Sequence, residues 1–339
     1  MKTIILEKPE NFATAETDFP NAPEPGQVLV AVQKVGICGT DLHAFKGRQP
    51  FFSYPRILGH ELGVEVISIG DNVTNVKPGD LCAVEPYLNC GTCIACRQKK
   101  INCCENLEVL GVHIDGGMRE QITVPAHKLH TSASLLPEQL ALVETLGIGC
   151  HGVDRAQLSP NENILVIGTG PIGLSVIQFA QVKNVNITVL ELNESRLDFC
   201  RSHFNITHGI TSLDNVETEL RNTYGGDLPT AVFDATGNVN SMNSAFSYVA
   251  NGGRLTLVGL VQDNITFHDP EFHRRELTVL STRNALPENF SRIIQLMETG
   301  EVDTRPWITH RSDISTFINS FPTWLQPEQG VVKAMLEFA

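Results

Sequence analysis

The run ILVIGTGPIGLSVIQFA, residues 164–180, constrains the fold more than any other stretch of the chain. Four apolar residues lead into Gly168-x-Gly170-x-x-Gly173, and an apolar helical pattern follows. Such glycines permit a tight strand-to-helix turn and let the backbone approach a pyrophosphate at the helix N-terminus. Alone the spacing is a weak signal. Here NITVLEL follows as a second apolar strand with Glu191 at its end, where a carboxylate can accept hydrogen bonds from ribose hydroxyls and repel a 2′-phosphate. Gly168, Gly170, Pro171, Ile172, Gly173, Glu191 and Arg196 form the expected cofactor-binding set. Glu191 favours NAD over NADP, and Arg196 pulls against that preference because an arginine nearby can accommodate the phosphate.

A parallel sheet needs helical crossovers, and the surrounding sequence supplies them. PIGLSVIQFAQVK and NESRLDFCRSHF read as helices, TAVFDATG and GGRLTLVGL as further strands. Upstream, QVLVAVQKV, GVEVISIG and LCAVEPY read as strands separated by Gly, Pro, Asn and Asp punctuation. Beyond residue 287, PENFSRIIQLMETGEV reads as an amphipathic helix and GVVKAMLEF as a strand that rejoins the first domain. With 339 residues, two domains are the default. The expected division is a mostly-β domain over 1–147 and 287–339, and a doubly wound α/β domain over 148–286.

NCGTCIACRQKKINCC, residues 89–104, places five of the nine cysteines in sixteen positions. The N-terminus lacks the apolar stretch and cleavage site of a signal peptide, and no apolar run is long enough to span a membrane. The expectation is a cytoplasmic protein with no membrane partner, in which clustered cysteines bind metal instead of forming disulfides. Cys90, Cys93, Cys96 and Cys104 have the paired short spacings of a closed tetrahedral zinc site, which leaves no open position for chemistry. Cys103 is read as a bystander. The net charge of -13 argues against nucleic acid as a partner.

A second set lies in GICGTDLHAF and LGHELG, namely Cys38, His60 and Glu61. Taken singly, each has an ordinary packing explanation. C-G-T-D-x-H followed by G-H-E, then four spaced cysteines, then the glycine turn, resembles the zinc-dependent medium-chain alcohol and polyol dehydrogenases over essentially the whole chain. That resemblance implies a GroES-like catalytic domain beside a Rossmann domain, two zinc ions per subunit and NAD. It implies that Cys38 and His60 ligate a catalytic zinc, with Glu61 an adjacent ligand that binds or swings away. Glu144, in ALVETLGIGCHG, stands where alcohol dehydrogenases carry Cys and polyol dehydrogenases Glu; direct and water-mediated binding both stay open. Asp41 matches the carboxylate that orients the zinc-bound histidine. Thr40 is suited to accept the alcohol proton and His43 to pass it to solvent. One departure is that Val64 stands where the family has glycine, with Gly63 one position earlier.

Within the family, GRQPFFSYPRILGHE, INCCENLEVLGVHIDGG and HDPEFHRRELTVLSTRNALPENF resemble bacterial dehydrogenases that oxidise C5 of hexonates such as L-galactonate and L-gulonate. A sugar acid needs a cation in the pocket, the more so in an acidic protein. Arg283, His113 and Tyr54 are the expected substrate contacts. Phe51 is a further candidate wall, and Arg48 and His273 are weaker candidates. Arg274 and Arg275 read as a solvated basic corner. The alternatives are a general polyol, diol or L-threonine dehydrogenase and, more remotely, a non-catalytic zinc- or nucleotide-binding protein. A homo-oligomer, dimer or tetramer, is the default for such an enzyme.

Overall fold

In the structure, a computed structural model that describes residues 1–50 and 52–338, the chain opens with a hairpin of β1 (Lys2–Lys8) and β2 (Asn11–Glu16). Then follow β3 (Gln27–Ile37), α1 (Gly39–Phe45), β4 (Glu61–Ile69), β5 (Leu81–Val84), β6 (Tyr87–Leu88) and α2 (Ile94–Arg97). Next come β7 (Glu108–Val109), β8 (Gln121–Pro125), β9 (Leu129–Ser132), α3 (Pro137–Ala141) and α4 (Val143–Ala156). Strands and helices then alternate: β10 (Asn163–Ile167), α5 (Pro171–Val182), β11 (Asn186–Leu190), α6 (Glu194–Phe204), β12 (His208–Ile210) and α7 (Val216–Thr223). The alternation continues through β13 (Ala231–Asp234), α8 (Val239–Ala245), β14 (Arg254–Leu257), α9 (Asp269–Arg274) and β15 (Thr278–Ser281). The chain closes with α10 (Pro287–Glu298), β16 (Ile308–Asp313), α11 (Phe317–Ser320) and β17 (Lys333–Glu337).

Two units result, one comprising Met1–Thr145 with the segment from Ala285, the other Leu146–Asn284. The first is built on a seven-stranded mixed sheet in the order β16-β17-β3-β4-β5-β9, with β8 also paired to β3. Along β3 the residues Val28, Val30 and Val32 alternate inward, the period of a sheet with one buried face. Val64, Val66, Ile122 and Val124 join them, and Phe12, Phe45, Phe317 and Phe321 pack ring against ring at one end. Each such fully buried aliphatic side chain contributes about 1.5–3 kcal/mol. β17 lies between β3 and β16, so the last strand of the chain completes the sheet begun by the third.

The second unit is a six-stranded parallel sheet in the order β12-β11-β10-β13-β14-β15. Numbered from β10, that order is 3-2-1-4-5-6, the doubly wound dinucleotide-binding arrangement. Ile164, Leu165, Val166 and Ile167 are all buried, as expected of a central parallel strand covered on both faces. The fold class agrees with the sequence reading. One strand does not: LCAVEPY breaks after Val84, because Pro86 has no N–H to give a ladder, and Tyr87 begins a separate two-residue strand paired with β7.

Candidate active site

β3 ends at Ile37 and the chain turns directly into α1, whose N-cap is Cys38. Asp41, at the third helical position and fully buried, accepts the Cys38 backbone N–H on Oδ2 at 2.9 Å, which fixes the turn. His60 precedes β4 and Glu61 begins it. Cys38 Sγ, a His60 ring nitrogen and a Glu61 carboxylate oxygen all lie within 4.8 Å of one another. Glu144 enters from the first turn of α4, 5% exposed.

Two residues outside the sequence expectation organise these acids. Lys333, on β17, places Nζ 2.7 and 2.8 Å from the two Glu61 oxygens, and donates also to the Ile37 carbonyl at 3.1 Å and Thr145 Oγ1 at 3.4 Å. Lys333 and Glu61 are both at most 2% exposed. The Tyr87 hydroxyl donates to Glu144 Oε1 in the buried interior. Room for the Glu61 side chain comes from Gly36, where an added Cβ would lie 2.1 Å from Glu61 Oε2. Gly63 serves the neighbouring register, since a Cβ there would meet the Pro137 carbonyl oxygen of α3 at 1.9 Å. The departure noted at Gly63 and Val64 is therefore a packing requirement of β4 against α3, and it leaves the cluster intact.

The electrostatics of this pocket favour a cation. Burial opposes a charged His60, yet the anions of Cys38, Asp41 and Glu144 outweigh it and hold the imidazole pKa well above its usual value. Burial raises the carboxyl pKa of Asp41, and burial together with repulsion from Glu61 raises that of Glu144. His60 Nδ1 and Asp41 Oδ1 are 3.9 Å apart, and neither has a hydrogen-bond partner although both are buried. Two buried polar atoms facing each other without other partners are what a carboxylate–histidine pair that orients a metal-bound imidazole would use. A thiol, an imidazole and a carboxylate converging, with the buried Glu144 carboxylate acting electrostatically on the imidazole, suit zinc.

The four spaced cysteines form a second cluster, with all four sulfurs within 4.8 Å of one another. The Cys93 and Cys96 sulfurs are 3.5 Å apart and those of Cys93 and Cys104 are 3.9 Å apart. A tetrahedral zinc thiolate with bonds of 2.3 Å would separate its sulfurs by about 3.8 Å. Backbone N–H groups of Cys90 and Cys93 donate to Cys104 Sγ at 3.2 Å and Cys90 Sγ at 3.4 Å. Hydrogen bonds from Thr92 and the Cys93 N–H draw the Cys90 thiol down to about 5, whereas burial pushes Cys104 up to about 11. The donor set fits a closed zinc cage.

At the glycine turn, Gly168 adopts φ +84°, and a Cβ on Gly173 would sit 1.8 Å from the Gly168 carbonyl oxygen. Gly170 caps α5 with open space at its Cβ position, Pro171 opens the helix, and Ile172 and Gly173 complete its first turn. Glu191 is spent partly on the turn itself. Its Oε2 accepts the Thr169 N–H at 2.9 Å and hydroxyl at 2.8 Å, and its Oε1 the Asn193 N–H at 2.9 Å. Remaining lone pairs on Oε1 are what a ribose could use. Arg196 is exposed on the first turn of α6, which Asn193 caps.

The expected substrate residues are more scattered. Thr40 is half-buried in the first turn of α1, and His43 is exposed one turn later. Tyr54 is half-buried and gives its hydroxyl to the Ala44 carbonyl at 2.5 Å, while His113 Nδ1 accepts the Val109 N–H at 3.1 Å. Arg283 is exposed beyond β15, in the second unit, and Phe51 lies outside the described residues. Arg48 and His273 are both exposed, the first beyond α1 and the second on α9. The basic corner needs correction. Arg274 is exposed and paired with Glu271, but Arg275 is folded inward, donating to the Val249 and Phe246 carbonyls at 2.7 Å each. Orphan carbonyls at the end of a helical stretch are ready partners for a guanidinium.

Residues 24–134 match the alcohol dehydrogenase GroES-like domain, and residues 171–299 match the zinc-binding dehydrogenase domain. The chain is 35% identical over 338 residues to L-galactonate-5-dehydrogenase of Escherichia coli K12, covering 100% of this chain and 99% of that protein. The chain belongs to the zinc-binding alcohol dehydrogenases. A second member of the family, 2-dehydro-3-deoxy-L-galactonate 5-dehydrogenase of Pseudoalteromonas atlantica, is 30% identical with 93% of each chain covered. Among solved structures, a short chain alcohol dehydrogenase from E. coli CFT073 complexed with NADH superposes with a TM-score of 0.93 at 28% identity, over 100% of this chain and 99% of that one. This zinc-binding dehydrogenase is thus an oxidoreductase acting on CH–OH groups. No helix among the described residues is long and apolar enough to cross a membrane.

Proposed function

We propose that this dehydrogenase oxidises a secondary alcohol of a sugar acid, a hexonate such as L-galactonate or L-gulonate, to the keto acid. The observation that carries this reading is the full-length match to L-galactonate-5-dehydrogenase. Support also comes from the Cys38, His60 and Glu61 cluster and from the buried Glu144 carboxylate, which interacts electrostatically with His60 and Glu61. In this reading two zinc ions and NAD are bound, and the active form is a homo-oligomer. A zinc ion in the Cys38–His60 pocket would acidify a coordinated hydroxyl, and NAD would accept the hydride.

The chain's own residues then have separable tasks. Cys38 and His60 hold the metal with a carboxylate from Glu61 or Glu144, and Asp41 fixes the His60 ring. Thr40 accepts the alcohol proton. His43 lies three residues on, hence on the same helical face, and its exposure lets the proton leave to solvent. Gly168, Gly170 and Gly173 admit the pyrophosphate, Glu191 takes the ribose, and Cys90, Cys93, Cys96 and Cys104 hold the structural zinc. Arg283, His113 and Tyr54 remain the substrate contacts of this reading.

A general polyol or L-threonine dehydrogenase is the second reading. It is favoured by the 29% identity, with 98% coverage of each chain, to L-threonine 3-dehydrogenase of Bacillus licheniformis. Initial rates across hexonates and neutral polyols, at low and high salt, separate the two. Hexonates are expected to give the highest kcat/KM, with a KM that rises as salt screens the carboxylate from its cation, while neutral polyols change little. Turnover of neutral polyols or threonine alone would overturn the hexonate assignment and leave the zinc chemistry standing.

A further inference from the structure

We propose that Asn89 and Lys128 form the outer shell of the cysteine cage, a positioning device that holds Cys96 as a ligand. The proposal rests on the reading of that cage as a zinc site.

Asn89 immediately precedes Cys90, and its Nδ2 lies 3.7 Å from Cys96 Sγ. The same amide accepts on Oδ1 from Lys128 Nζ at 3.5 Å. An ammonium has only donors, so Lys128 dictates which way the amide faces. Its oxygen must turn to the lysine and its N–H groups to the sulfur; the reverse orientation would set donor against donor and oxygen against thiolate. Backbone N–H groups serve Cys90 and Cys104. At Cys96 this side chain donates.

Lys128 stands in the short turn Ala126–Lys128, 2% exposed, and donates to Glu85 Oε1, itself 1% exposed. Glu85 Oε2 is 3.3 Å from His130 Nε2, and the His130 ring stacks on Phe290 with centroids 4.9 Å apart. The pair is thus locked from both sides. A buried ion pair is a weak contributor to stability, and apolar residues of similar volume often replace it without loss. The cage gives this one a task. Four thiolates around one divalent cation would carry a net charge of -2, and the ammonium, by holding the Asn89 oxygen, turns the amide N–H groups toward that charge. Partners beyond the ligands themselves commonly change metal affinity by roughly 10–100-fold.

The test uses the full-length zinc-loaded holoenzyme, with alkylation of individual cysteines by iodoacetamide followed by mass spectrometry. A zinc-bound thiolate is protected, so alkylation of Cys93 and Cys96 reports release of the cage metal independently of turnover. Asn89 is half-buried, and Asn89→Asp preserves its shape while replacing the donor by an anion. Cage alkylation is expected to be about 10–100-fold faster in Asn89→Asp, faster than wild type but less so in Asn89→Leu, and close to wild type in Lys128→Arg. Circular dichroism and alkylation of buried Cys82 report whether each variant is folded. Wild-type alkylation rates in folded Asn89→Asp would overturn the proposal. Wild-type protein whose four cage cysteines react at once despite added zinc would overturn the cage reading, and this proposal with it.

Discussion

Replacing Cys38 by serine is expected to lower turnover by roughly three orders of magnitude or more, while the fold and nicotinamide binding are retained. The loss follows from the pocket's role. Without the thiolate, the buried imidazole and carboxylates hold a divalent ion weakly, and several kcal/mol of Lewis-acid stabilisation disappears from the reaction. The fold should survive because Cys38 is the N-cap of α1, a position that serine fills at least as well. The Asp41 carboxylate continues to accept the residue 38 N–H, which depends on backbone alone. Elemental analysis should find one zinc fewer per chain, and fluorescence titration should find NADH binding close to wild type. An unchanged rate would remove Cys38 from the catalytic site.

Lys333→Met is expected to destabilise the first unit by about 3–5 kcal/mol, because it leaves the Glu61 carboxylate buried without its cation. For a unit of this size that is a fall in Tm on the order of 10 °C. The double variant Lys333→Met, Glu61→Gln should recover most of the loss, since a neutral amide is far cheaper to bury than a lone carboxylate. The pH dependence has a definite sign. Burial opposes a charged Lys333, but Glu61 and Cys38 outweigh it, so its pKa in the folded protein lies above the ordinary lysine value. The stabilisation is therefore complete below the ordinary value and is lost only as pH rises through the raised one, leaving the neutral range flat. Thermal unfolding of the single and double variants checks both statements. A Tm for Lys333→Met equal to wild type would mean that Glu61 does not depend on this partner.

What could be read in the sequence was local. Gly168-x-Gly170-x-x-Gly173 and the four cage cysteines are short-range patterns whose spacing alone states the geometry. The buried partners are different in kind. Lys333 and Glu61 are 272 residues apart and meet only because β17 and β4 both flank β3. The available signal was a lysine inside KAMLE, a strand otherwise turned to the core. Tyr87 was masked by reading LCAVEPY as one strand; Pro86 marked the break that frees the tyrosine to reach Glu144. Gly36 carries no local cue at all, since the cradle it provides for Glu61 exists only after β3 and β4 pair. Arg275 and its neighbour look alike in sequence, and only the helix end beneath Arg275 distinguishes them.

The central claim is direct hydride transfer from a zinc-activated secondary alcohol to NAD. Its most direct measurement follows the fate of deuterium placed on the C5 carbon of L-galactonate or L-gulonate during turnover by zinc-loaded enzyme. The account predicts that the label appears in NADH, that the rate shows a deuterium isotope effect when chemistry is rate-limiting, and that the rate of label transfer falls with turnover in Cys38→Ser. Label lost to water, or NADH formation undiminished in Cys38→Ser, would contradict it.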